Sequence, residues 1–122
     1  MRDFVSVHDV VAANLLAMDS QEANGHALNI GSGMPISIRE VAASLSRALG
    51  REIPCEITGK YRAGDIRHCF GDISKARGLL GYEPQVSFQE GVLEFVDWLR
   101  DQSAEDKADN MVAELRTFGL TA

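Results

Sequence analysis

The chain is poor in several things at once. It has two cysteines, three prolines and one tryptophan among 122 residues, and aromatics make up 7%. Cys55 and Cys69 have no Cys-x-x-Cys partner and no accompanying paired histidines, which argues against a disulfide framework and a zinc site alike. They read as reduced thiols. Basic residues are outnumbered, 12 Lys+Arg against 18 Asp+Glu, for a net charge of -6. Duplex binders draw their affinity from neutralising phosphates, so nucleic acid is not the expected partner, although a local pocket for one small anion remains open. No apolar run approaches the ~20 residues that span a bilayer, so no membrane association is expected. The first five residues, Met1 to Val5, lack the charged-then-apolar plan of a signal peptide. The expected location is the cytoplasm.

What remains is ordinary for one globular unit: 45% hydrophobic and 25% charged residues. Phe4, Val5 and Val7 suggest a short strand, and Asp9 then fits a helix N-cap before Val10, Val11, Leu15 and Met18. Asn24-Gly25 signals a turn, and His26 to Ile30 suggest a second strand ending in Gly31-Ser32-Gly33. Ser37-Ile38-Arg39-Glu40 is a capping box with Val41, Leu45 and Leu49 behind it, and Gly50 is a stop signal. Ile53 to Ile57 suggest a third strand, and Lys60 to Gly71 lack a period. Asp72 is placed to cap a helix through Ala76 and Leu80, stopped by Gly81. Ser87 to Glu90 form a second capping box, with Phe88, Val92, Phe95 and Leu99 on one helical face. A last helix is expected from near Glu105, with Met111, Val112, Leu115 and Phe118 inward and Gly119 as stop. The sum is helix-rich α/β, with few and short strands that would make a poor sheet alone.

Chemistry is concentrated in one stretch. Gly31-Ser32-Gly33 invites a dinucleotide reading, but the third glycine of Gly-x-Gly-x-x-Gly is replaced by Ile36, and a strand-to-helix turn explains the glycines. The serines at 32, 37, 74 and 87 sit at turns or caps, and His8, His26 and His68 have no triad or metal spacing. Lys60 to His68 instead gather several cations around Asp65, with Gly64 permitting close backbone approach. Arginine offers a planar fork suited to phosphate, and Arg2 provides a second one elsewhere in the sequence. On residue type alone, a solvated mixed-charge loop is the favoured reading.

Five motifs then occur in order: Arg2-Asp3-Phe4-Val5-x-Val7-x-Asp9-Val10, Asn29 to Gly33, Arg62 to His68, Asp72 to Arg77, and Leu80-Gly81-Tyr82-x-Pro84. Together they resemble the C-terminal substrate-binding half of NAD-dependent nucleotide-sugar epimerases and dehydratases, of the extended short-chain dehydrogenase/reductase superfamily. The nearest type is dTDP-L-rhamnose 4-epimerase-like or UDP-glucose 4-epimerase-like. The resemblance divides residues 1–122, one substrate-binding lobe, into a matching core over 1–100 and a helical tail over 101–122. It implies that Arg2 and Arg62 contact the pyrophosphate of a nucleotide-diphosphate sugar, that Asp65 holds the ribose, and that Phe4 lines the pocket. Cys69 falls where other members place Asn or Tyr near the nucleotide. NAD is the cofactor of the parent family, bound on a Rossmann domain, and the family's catalytic pair is Tyr-x-x-x-Lys. Here Tyr61 is followed four residues on by Asp65, and Tyr82 by Val86. The expectation is a chain that binds no NAD and is inactive alone. Its expected partner is a Rossmann half, or a second copy in a dimer or oligomer; a stand-alone sugar-nucleotide-binding module is the alternative.

Overall fold

The structure is a computed structural model that describes residues 1–103 and 105–121. Its elements run β1 (Arg2–Asp3), α1 (Val7–Asp19), β2 (Pro35–Ile36), α2 (Ile38–Ala48), α3 (Ser74–Leu80), α4 (Phe88–Leu99) and α5 (Ala108–Thr117). The two strands pair antiparallel, Arg2 with Ile36 and Asp3 with Pro35. The arrangement is the helix-rich α/β part expected.

The helices begin where local chemistry says they should, with one displacement. Ser37 and Ser87 each accept the N–H of the glutamate three residues on, while Glu40 and Glu90 accept the serine N–H in return. Two amides at each end that lack helical partners are thereby satisfied. The same hydrogen bonds from Ser37 and Ser87 hold the Glu40 and Glu90 carboxyls below their ordinary pKa. At α1 the cap is Ser6, whose hydroxyl accepts from the His8 N–H at 3.2 Å. Asp9 is not the cap: it lies one turn inside, 3% exposed, and reaches another part of the chain. Its two oxygens accept the backbone N–H groups of Gln85 (2.8 Å) and Val86 (3.2 Å). Asp72 is likewise one residue outside the cap position of α3, which Ile73 fills; its Oδ1 accepts the Ser74 N–H at 2.9 Å. Gly81 closes α3 in the left-handed conformation.

The core is small. Ala13 of α1, Ile73, Ala76 of α3 and Tyr82 are its buried members, with Leu28, Ile30 and Leu80 packed against them. Tyr82 also donates its hydroxyl to the Gly31 carbonyl at 2.9 Å. A second contact layer forms where α4 buries Val92 and Val96 and packs on α2.

Three expected strands do not form. Phe4 to Val7 give way to β1 just before them and to α1 itself, while His26 to Ile30 and Ile53 to Ile57 are irregular. The last helix starts at Ala108 rather than near Glu105, and Met111 and Phe118 face solvent instead of a core. The accessible surface is 9521 Å². A compact monomer of this mass exposes about 6,500 Å², and the exposed surface here includes Val7, Met18, Met34 and Ile57, each more than half exposed. None of the described helices is long and apolar enough to cross a membrane.

Candidate functional site

Arg2 and Arg62, sixty residues apart, meet at one carboxylate. Asp65 Oδ1 accepts from Arg2 Nη2 at 3.0 Å, and Asp65 Oδ2 accepts from Arg62 Nη2 at 2.9 Å. The local fold explains each position. Arg62 to Asp65 form a tight turn in which the Asp65 N–H donates to the Arg62 carbonyl at 3.1 Å. Gly64 sits at the third position with φ +78, a torsion that glycine adopts without penalty and that a type II turn requires. The turn folds the Asp65 carboxylate back onto Arg62. The other arginine is delivered by β1, which is continued by a single parallel bridge between Arg2 and Cys69. The Arg62 hydrogen bond and both guanidinium charges hold the Asp65 carboxyl below its ordinary pKa.

The two arginines are not equivalent. Arg2 Nη1 donates to the carbonyls of Met1 (3.0 Å) and Arg67 (3.2 Å), and Arg2 Nη2 to the Ile66 carbonyl as well as to Asp65. Its terminal nitrogens are thus occupied in fastening the Asp65–Arg67 segment to β1. The Arg62 side chain makes one hydrogen bond among the described residues and is 61% exposed, against 31% for Arg2. An incoming anion therefore finds its open donors on Arg62, while Arg2 adds charge from a fixed position. The family resemblance implies a pyrophosphate contact for each, and nothing in residue type distinguishes them.

The remaining expected site residues divide. Cys69 adjoins Arg2 through the backbone, its N–H donating to the Met1 carbonyl at 3.0 Å, and its thiol is exposed and free. Phe4 is elsewhere: its ring packs on Phe88 at a centroid distance of 5.7 Å and lines an apolar groove of about 560 Å³ with Val41, Leu45, Val92 and Trp98. Arg2, Arg62, Asp65 and Cys69 do not line that groove.

Two supporting features were not legible in the sequence. Asp3 Oδ1 accepts both the N–H and the hydroxyl of Ser32, at 2.9 and 2.5 Å, tying β1 to the glycine turn. The segment after α5 also returns to the Arg62 turn, through an antiparallel bridge between Arg62 and Thr121. Gly119 signalled a chain reversal, but not its destination. The Gly31–Gly33 turn does not fit a dinucleotide cradle. A Cβ on Gly31 would collide with the Asp3 carboxylate, one on Gly33 would lie 3.1 Å from Ile73 Cδ1, and Gly33 has φ +71. The close approach that requires glycine is made by this chain's own side chains.

Comparison with known proteins places this arrangement. The profile of the family described as GDP-mannose 4,6 dehydratase matches residues 1–95. The chain is 33% identical over 101 residues to a dTDP-L-rhamnose 4-epimerase of Burkholderia thailandensis, covering 83% of this chain and 28% of that protein. A UDP-glucose 4-epimerase of Mycolicibacterium smegmatis is 35% identical over 102 residues, or 84% and 32% of the two chains. The fold superposes on the UDP-glucose 4-epimerase of Thermotoga maritima, solved with UDP-glucose, with a TM-score of 0.71 at 36% identity, covering 80% of this chain and 31% of that one. The fold thus corresponds to the C-terminal part of an extended short-chain dehydrogenase/reductase. More narrowly, the chain belongs to the NAD-dependent nucleotide-sugar epimerase/dehydratase family and corresponds to part of its members' C-terminal half. It spans about 30% of the length of the relatives it matches.

Proposed function

We propose that this chain is the nucleotide-diphosphate-sugar-binding part of an NAD-dependent sugar epimerase. The observation that carries the reading is the convergence of Arg2 and Arg62 on Asp65 in a chain of this family. Arg62 takes a phosphate oxygen with its open Nη groups, Arg2 supplies a second charge from its fixed seat, and Asp65 turns its carboxylate to the ribose hydroxyls. Exchange of the carboxylate for a phosphate at Arg62 keeps the guanidinium paired throughout, so binding leaves no uncompensated charge. Cys69, beside Arg2, borders the site. Phe4 lines the apolar groove and not the arginine cluster.

In this reading the chain anchors the nucleotide handle, and that remote binding energy positions the reacting sugar carbon. NAD and the tyrosine base belong to a Rossmann half outside this sequence. The chain alone binds no NAD and turns over no nucleotide sugar. Calorimetric titration with UDP and with dTDP tests it. Heat of binding is expected with at least one of them, and Arg62→Ala should weaken that binding by about tenfold or more, the effect of one charge-assisted contact. Absence of heat with both ligands, or an Arg62→Ala variant that binds as tightly as the parent, refutes it.

A further inference from the structure

The family profile ends at residue 95, yet the chain beyond it comes back to the site. α5 closes with a paired set of hydrogen bonds: the Gly119 N–H donates to the Arg116 carbonyl at 3.0 Å, and the Leu120 N–H to the Leu115 carbonyl at 2.8 Å. Gly119 has φ +65. This is the helix-ending motif in which a left-handed glycine reverses the chain and satisfies the last carbonyls. The reversal sends Leu120 and Thr121 alongside the Arg62 turn. There the Leu120 carbonyl accepts the Ala63 N–H at 2.8 Å, and Thr121 forms an antiparallel bridge with Arg62.

The Arg62 turn has little else to hold it. Residues 61–70 are exposed throughout. The turn is fixed from one side by the Arg2–Asp65 ion pair and from the other by Leu120 and Thr121. The end of α5 therefore supplies backbone order exactly where the more open of the two arginines is presented.

We infer that Gly119–Thr121 is a positioning segment of the nucleotide site, a backbone strap that fixes Arg62 for phosphate binding. The inference rests on the proposed nucleotide-binding reading. The strap touches Arg62 and Ala63 through main-chain atoms, so its part is positioning and not ligand contact. Fixing the turn in advance removes part of the ordering cost that ligand binding otherwise carries. It also makes phosphate affinity sensitive to events at the α5 end, such as a change in how α5 packs.

Two variants of the 122-residue chain break the strap by different routes. One ends after Phe118. The other, Gly119→Val, puts a β-branched residue where φ is positive and disrupts the reversal. Hydrogen exchange at the Ala63 amide reads the strap without any ligand, and calorimetry with UDP reads its consequence. The expected result is faster Ala63 exchange in both variants and UDP binding weakened by about tenfold, the worth of one backbone hydrogen bond with its ordering. In an Arg62→Ala background the same truncation should leave UDP affinity unchanged, an outcome that general destabilisation would not produce. Unchanged Ala63 exchange overturns the strap alone. Faster exchange with unchanged UDP affinity overturns its role at the site. If the parent chain binds neither UDP nor dTDP, the nucleotide-binding reading and this inference fall together.

Discussion

Asp9 provides the sharpest test of how the chain is held together. It sits in the first turn of α1, 3% exposed, and its carboxylate accepts the N–H groups of Gln85 at 2.8 Å and Val86 at 3.2 Å. Those amides lie just before the Ser87 cap of α4, so one side chain ties α1 to the start of α4. Asp9→Ala removes both bonds and leaves two part-buried donors without the acceptor. Hydrogen bonds to a charged group contribute about 1.5–3 kcal/mol each, and the two share one carboxylate, so the expected loss is about 3 kcal/mol. A small domain has only about 5–15 kcal/mol in total. Asp9→Asn is the informative control. Its amide oxygen can keep one bond, but its NH₂ then faces the second N–H, donor against donor. It should therefore lose about 2 kcal/mol instead of behaving as a neutral isostere. Urea unfolding followed by far-ultraviolet circular dichroism measures both, with Arg62→Ala as a control that should unfold like the parent. A loss below 1 kcal/mol for Asp9→Ala, or Asp9→Asn equal to the parent, would refute the clasp.

Tyr82→Phe deletes the hydroxyl that donates to the Gly31 carbonyl in the buried core; it should cost about 1–2 kcal/mol in urea unfolding, and no measurable change would show that the bond carries no net stability. Ser87→Ala removes the cap of α4 and should cost about 1 kcal/mol by the same assay; no measurable loss would show that the cap contributes nothing. His8 Nε2 lies 2.7 Å from Glu94 Oε1, and that hydrogen bond, then the carboxylate charge, raises the His8 pKa above its ordinary value. The protonated form is thus favoured in the folded state: the stabilisation is complete below the unfolded-state pKa and is lost as pH rises through the raised one. His8→Gln should flatten the fall in stability as pH rises above the ordinary histidine value of 6.5; a parent profile that is flat there, or that rises with pH, contradicts the pairing.

Local signals were legible and partnered ones were not. The capping boxes at Ser37 and Ser87, and the left-handed stop at Gly81, need only a few neighbouring residues to operate. Sequence reading placed all three. Asp9 and Asp72 show the limit of the same logic: a carboxylate near a helix start reads as a cap, but Ser6 was the better-placed cap, which freed Asp9 for a contact 76 residues away. The meeting of Arg2 with Arg62 came from resemblance to a family, since no spacing rule joins residues 60 apart. Their inequality came only from the carbonyls of Met1, Ile66 and Arg67 around Arg2. Phe4 was assigned to the pocket by the same resemblance; its ring pairs with Phe88 and lines the apolar groove.

The strands that do not form and the helix face that stays bare have a common physical basis. A strand is stable only when its N–H and C=O groups find a neighbour, and His26 to Ile30, despite their apolar pattern, have no strand beside them among the described residues. On α1, Val7, Val11, Leu15 and Met18 recur at helical spacing, and all four are at least half exposed. That spacing marks one continuous stripe, with Ala13 of the same helix buried in the core. A stripe of this kind is a packing surface by composition, and contiguous apolar surface on a lone small chain promotes association.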